Sequence, residues 1–255
     1  MFKKALSLAI LTALSSSAMA QQNQTDSVDI DETIKITATR TSIPQSAIPA
    51  TVSVIDGEDI RQQMTVAQSL SDILGNLIPA FSPSRQKLTS AGETLRGREP
   101  LYLIDGVPQS NPLRNGSRAA MTIDPFMIER VEVIHGASAI QGMGASGGII
   151  NIVTKQAEAG TSHEMNAGFM APDSEVSEGL SYQAGYLLRH AQGDWRFVGG
   201  VQYRDTGMYV DGNGMLIGVD TTQGDTMDSK SYDLFAKLGY QIDQQQSLEL
   251  MLNRF

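Results

Sequence analysis

From Ser162 to the last residue, apolar and polar side chains alternate in runs of about ten, and no other feature narrows so far the folds open to this chain. Tyr182, Ala184, Tyr186 and Leu188 oppose Gln183, Gly185 and Arg189. Trp195, Phe197, Val201 and Tyr203 oppose Arg196, Gly200, Gln202 and Arg204. Tyr232, Leu234, Leu238 and Tyr240 oppose Asp233, Lys237 and Gly239, and Leu248, Leu250 and Leu252 begin a further run. Strict alternation gives each strand one apolar and one polar face.

A soluble sandwich alternates in the same way. It does not account for aromatic residues at the run ends together with connections that alternate in length. With a first strand over Ser162–Met170, the connections are moderate (Ala171–Gly179), short (Ala191–Asp194), long (Asp205–Lys230) and short (Asp243–Ser247). Strands of a membrane barrel show these properties together: apolar faces to lipid, polar faces to the lumen, short turns on the periplasmic side and long loops outside. The residues after Lys155 supply only about five such strands. An open edge in lipid is not viable, so the chain is expected to be a fragment of a longer barrel.

Upstream lies Ile128–Lys155, two β-branched runs flanking a Gly-rich connection with Gly142, Gly144, Gly147 and Gly148. Gly142-Met-Gly144-Ala-Ser-Gly147 matches the letter of a dinucleotide fingerprint, which works only where the last glycine opens a helix. Here Gly147 leads into Ile149, Ile150, Ile152 and Val153, a strand-like run, so these glycines are expected to serve packing and backbone conformation.

The N-terminus sets the compartment. Lys3 and Lys4, an apolar stretch Ala5–Leu14 and Ala18-Met19-Ala20 form a secretory signal, with cleavage expected after Ala20. The 255 residues hold no cysteine, which excludes a disulfide scaffold and any cysteine metal site, and the formal charge of −9 offers nucleic acid no electrostatic footprint.

Residues 21–45 read as a flexible leader carrying one alternating segment, Glu32–Ala38, set off from any partner strand by Ser42, Pro44 and Pro49. Such a segment either offers its backbone to another protein's sheet edge or serves as an edge strand of the domain that follows. That domain, 46–157, begins with a strand over Thr51–Ile55 and a helix near Glu58–Met64. A second helix is expected from Thr65, capped with Gln68, with Val66, Leu70, Ile73, Leu74 and Leu77 on its core face and Pro79 as its stop. Strands follow over Glu93–Arg96 and Leu101–Ile104. Two loops without periodicity, around Arg85 and across Gln109–Ala120, are candidates for ligand contact.

These residues resemble the TonB-dependent outer-membrane receptors. Glu32-Thr33-Ile34-Lys35-Ile36-Thr37-Ala38 looks like the family's TonB box, although Glu32 stands where Asp is usual. Leu95-Arg96-Gly97, Leu103-Ile104-Asp105-Gly106-Val107-Pro108, Ile128-Glu129-Arg130-Val131-Glu132-Val133 and Gly147–Lys155 are similar to its plug motifs, with His135 in place of a common Arg. The resemblance implies an α+β plug domain followed by the first antiparallel strands of a transmembrane β-barrel, 22-stranded in the family, over 158–255. It implies a cell outer membrane location, TonB as partner at Glu32–Ala38, and a ferric siderophore as cargo, with cobalamin, haem or a glycan as the alternative.

No cofactor is expected, since iron travels inside the cargo chelate, and no catalytic cluster of nucleophile and base is evident. For the cargo, Arg85, Arg114, Asn115, Ser117 and Arg118 are the candidates, because guanidinium forks suit anionic, oxygen-rich chelates. The run Arg114–Ile134 resembles receptors for hydroxamate–carboxylate siderophores such as aerobactin. His135, His163 and His190 are scattered without ligand spacing, and Asp211-Gly-Asn213-Gly lacks the later Glu of a calcium loop.

Overall fold

The computed structural model describes residues 35–38, 43–44, 48, 50–67, 69–84, 89–109, 119–217 and 228–255. In chain order it begins with β1 (Lys35–Ile36), β2 (Ile43–Pro44) and β3 (Val52–Asp56), then helices α1 (Gly57–Gln63) and α2 (Leu70–Leu77). The strands β4 (Phe81–Ser82), β5 (Thr94–Leu95), β6 (Pro100–Ile104), β7 (Val107–Pro108), β8 (Ile128–His135) and β9 (Gly148–Thr154) follow. The wall is β10 (Gly160–Met170), β11 (Ser181–Gln192), β12 (Trp195–Thr206), β13 (Ser229–Gln241) and β14 (Ser247–Arg254), with a short helix α3 (Val176–Gly179) between β10 and β11.

The plug is a five-stranded sheet in the order β3-β8-β9-β6-β7. Only β6 and β9 run parallel, joined in register from Pro100↔Gly148 to Ile104↔Ile152. Every residue of β9 is buried, which explains its unbroken β-branched sequence: a strand covered on both faces has no polar face to show. On one face Val131, Val133, Ile150 and Ile152 pack with α1, α2 and the wall. On the other, Leu101, Leu103, Ile134 and Ile149 form a second, smaller core with Ile36 and Ala38.

Helix α1 starts where the Asp56 side chain accepts from Asp59 N. The second helix departs from expectation. It begins at Leu70, with Ser69 as its cap: the Ser69 hydroxyl accepts from Asp72 N at 3.1 Å and donates to the Asp72 carboxylate at 2.7 Å. Thr65 instead closes α1, donating to the Gln62 carbonyl at 2.7 Å, and Val66 is 67% exposed rather than in the core. A reciprocal Ser–Asp pair outbids the Thr65 start because beginning at Leu70 buries Leu70, Ile73 and Leu74 in a single turn-to-turn stripe. The strand expected over Glu93–Arg96 is shorter, because Arg96 turns left-handed at φ 55°.

The wall is an antiparallel meander in sequence order, β10-β11-β12-β13-β14. Its connections alternate in length as expected, from the two residues Gly193–Asp194 to the span between Thr206 and Ser229. Outward residues are apolar and exposed, among them Met165, Phe169, Val201, Leu234 and Leu250. Tyr182, Tyr203 and Tyr232 form a ladder near the long-loop end, with ring centroids 5.8 and 4.9 Å apart. Trp195 and Tyr240 pair at 4.6 Å near the short-turn end. The two aromatic groups lie roughly 27 Å apart along the strands, close to the height of a membrane barrel's apolar band. Among the described residues no helix is long and apolar enough to cross a membrane.

The glycines at the heart of Ile128–Lys155 divide by task. Gly142 and Gly144 have φ +101° and +109° with space around them, so conformation alone requires glycine there. At Gly147 a Cβ would stand 2.4 Å from the Arg98 carbonyl oxygen, and at Gly148, with φ +142°, 2.3 Å from that of Ile134. Close backbone approach is their role, and Gly147 leads directly into strand β9, where the nucleotide fingerprint's last glycine must open a helix.

Candidate functional site

Among the described residues, polar chemistry gathers at the seat of the Ile36–Ala38 segment on the plug and at the junction of plug and wall. The ligand candidates Arg85, Arg114, Asn115, Ser117 and Arg118, together with Glu32, Thr33 and Ile34, lie outside the described residues. So does the signal segment 1–20.

By its pattern the Glu32–Ala38 segment fits equally a strand free for another protein's sheet edge and an edge strand of the plug. Its described part is paired and buried. Lys35 and Ile36 pair antiparallel with Pro44 and Ile43, so Pro44, read as a separator, sits within the partner strand. Ile36 and Ala38 are each 0% exposed. Alternation explains the burial, because both apolar side chains point to the sheet face that the helices leave uncovered, and burying them there removes apolar surface from water.

Between these two apolar residues, Thr37 meets a polar cluster. The Glu132 carboxylate accepts from Thr37 N at 2.8 Å and Ala38 N at 2.9 Å. Asn151 Nδ2 donates to Thr37 Oγ1 at 3.0 Å and to Glu132 at 2.9 Å, while its Oδ1 accepts from Gly106 N at 2.9 Å. Arg130 Nη2 pairs with Glu132 at 2.7 Å. Gln141 Nε2 donates to the Ala38 carbonyl at 2.7 Å.

At the junction, charged residues on inward wall positions reach plug backbone and side chains. Lys237, 3% exposed, lies 3.1 Å from Asp105 and 2.9 Å from the Thr154 hydroxyl. Arg204 pairs with Asp124 at 3.0 Å, and Asp124 N donates to the Asp233 carboxylate at 2.6 Å. Lys155 pairs with Glu164 at 2.6 Å and stands 4.7 Å over the Phe126 ring. Asn253 Nδ2 donates to the Thr122 carbonyl. Burial pulls the Lys155 ammonium down from its usual range, and Glu164 partly restores it.

Three wall residues escaped the alternation reading. Leu187, Val198 and Phe235 point inward yet are apolar, and at 0%, 2% and 3% exposure they join the plug core beside Phe126 and Met127. The signal was present: each interrupts an otherwise polar face. Glycine marks the same contact, since a Cβ at Gly200 would stand 2.6 Å from Met127 Sδ.

In the plug, Glu93 is 3% exposed and accepts from the Tyr102 hydroxyl at 2.6 Å. Burial raises its carboxyl to about 7, against the opposite pull of the Tyr102 and Ser71 hydroxyls. The histidines each have a local neighbour: His135 with Ser53 at 3.0 Å, His163 with Tyr186 at 2.7 Å and His190 with Thr161 at 2.7 Å. Asp211 caps its own turn, accepting from Asn213 N and Met215 N. Among the described residues no group of three or more His, Asp or Glu is placed to hold a metal ion.

Residues 44–149 match the family described as TonB-dependent Receptor Plug Domain. The chain is 37% identical over 246 residues to the rhizobactin receptor of Rhizobium meliloti (strain 1021), covering 94% of this chain and 33% of that protein. It is 33% identical over 245 residues to the ferric aerobactin receptor of Escherichia coli, covering 95% and 32%. This chain spans about a third of the length of these curated relatives. Its fold matches a crystal structure of a ferric enterobactin receptor mutant from Pseudomonas aeruginosa in complex with enterobactin, with TM-score 0.62, 24% identity, and coverage of 81% of this chain and 33% of that one.

Proposed function

Because this chain belongs to the TonB-dependent receptors, we propose that it acts in the outer membrane of a Gram-negative bacterium in the uptake of a ferric siderophore, reached by export through residues 1–20. The observation that carries this reading is mechanical. A short segment before the plug is seated by hydrogen bonds to Glu132 and by two buried apolar side chains, while the plug itself is tied to wall strands by Lys237 and Arg204. That arrangement suits a device in which TonB pairs with Glu32–Ala38 and draws on the plug, with no bond in the cargo broken.

The cargo assignment rests on the names of the rhizobactin and ferric aerobactin relatives and on the likeness of Arg114–Ile134 to receptors for hydroxamate–carboxylate siderophores. Arg85, Arg114, Asn115, Ser117 and Arg118 supply its contacts in this reading, and iron enters as part of the cargo. Iron-limited growth on individual siderophores, in a strain dependent on this gene, tests it. Growth on a hydroxamate–carboxylate siderophore is expected. Failure on every siderophore, with rescue by cobalamin or haem, would overturn it.

A further inference from the structure

Glu132 occupies the middle of β8 at 0% exposure, on the sheet face where its neighbours Ile134 and Val54 are apolar. A carboxylate buried there is costly unless donors surround it. Asn151 and Arg130 from the sheet supply some of them. The rest come from the leader: the main-chain N–H groups of Thr37 and Ala38, and the Thr37 hydroxyl at 3.1 Å. Strand pairing cannot explain this arrangement, because β1 is bonded to β2 and not to the plug sheet.

We infer that Glu132 is the positioning residue that parks the coupling segment on the plug and sets how readily it is released. The inference rests on reading Glu32–Ala38 as that segment. While it is parked, Ile36 and Ala38 are fully covered, so a partner's sheet edge cannot pair along them. Bonds from N–H groups to an ionised carboxylate are stronger than neutral ones, which holds the parked state. On release the same carboxylate loses its cover, keeps Arg130 and Asn151, and gains water in place of the leader's donors. Departure therefore leaves no charge buried without partners, and the latch can open and close repeatedly without unfolding the sheet.

The test uses the receptor produced from its complete gene in outer membranes, without cargo or TonB, and a nitroxide on Lys35→Cys read by electron paramagnetic resonance. A second label on Glu58→Cys, an exposed site on α1, reports whether the plug stays folded. Glu132→Gln removes the charge from the plug side. Ala38→Pro removes one donor from the leader side without altering the sheet. In both, the mobile population at position 35 is expected to rise about tenfold or more, with the label at position 58 unchanged. If Glu132→Gln disturbs the position 58 label, Ala38→Pro decides. An immobile position 35 label in Ala38→Pro with the plug folded would overturn the inference. Because no transport is measured, a wrong cargo assignment leaves this outcome untouched.

Discussion

The Nζ of Lys237 lies 3.1 Å from Oδ2 of Asp105 and 2.9 Å from the Thr154 hydroxyl, so one wall side chain grips both the turn after β6 and the end of β9. Thr154 is bound to the same Asp105 carboxylate at 2.6 Å, which closes a triangle between plug and wall. Breaking one corner leaves a charge with little water around it.

Lys237→Met is therefore expected to loosen the plug by about 3–5 kcal/mol, the usual cost of stranding one partner of a buried pair. Hydrogen exchange at Ile152 and Thr154 in the assembled receptor reads the effect. Adding Asp105→Asn should recover a large part of the loss, because both charges are then gone. Equal exchange in the single and double variants would show that the pair does not couple plug to wall.

Glu93 gives the plug a pH dependence of unusual sign. Its carboxyl is raised from 4.5 to about 7, so the folded plug binds more protons than the unfolded chain between those values. The Glu93 contribution to stability is then fully present below pH 4.5 and is lost as pH rises through about 7, on the order of 3 kcal/mol in all. Glu93→Gln should flatten that slope and raise the unfolding midpoint at pH 8. The midpoint measured from pH 4 to 8 by scanning calorimetry checks both, and a slope that survives the substitution would refute the assignment.

Gly148→Ala is expected to destabilise the plug by about 3 kcal/mol or more. Its added methyl meets the Leu95 side chain and the Ile134 carbonyl, which cannot move without breaking the sheet. Gly142→Ala meets nothing and should cost about 1 kcal/mol, from conformation alone. Comparing the two by chemical denaturation separates close approach from backbone freedom.

Ile36→Pro should abolish uptake while leaving cargo binding at the cell surface intact. Proline removes a strand donor from the segment proposed to pair with TonB. It also replaces a side chain that the second core covers completely. Uptake of labelled ferric chelate at wild-type rate would count against the coupling role of Glu32–Ala38.

Much of this architecture could be read from the residues in order. The period-two runs after Ser162 define the wall strands because lipid and lumen impose opposite demands on alternate side chains. The β-branched run in Gly148–Thr154 announces a strand covered on both faces. The start of α2 is not legible in the sequence because Thr65 and Ser69 are both competent caps, and only the burial of Leu70, Ile73 and Leu74 chooses between them.

Local pattern cannot state which residues far apart in sequence meet. The alternation of Ile36 and Ala38 fitted an exposed coupling strand and a covered one equally well. The choice fell to the uncovered face of a sheet whose strands lie about a hundred residues further along the chain. Likewise, Leu187, Val198 and Phe235 break the polar face of the wall for a reason visible only once Phe126 and Met127 are packed against them. Sequence by itself determined the elements, their faces and the wall's lipid side, because those follow from spacing along one strand or helix. Tertiary structure alone decided the partners of Glu132 and Lys237, because a buried charge is tolerable only where distant donors or counter-charges converge on it.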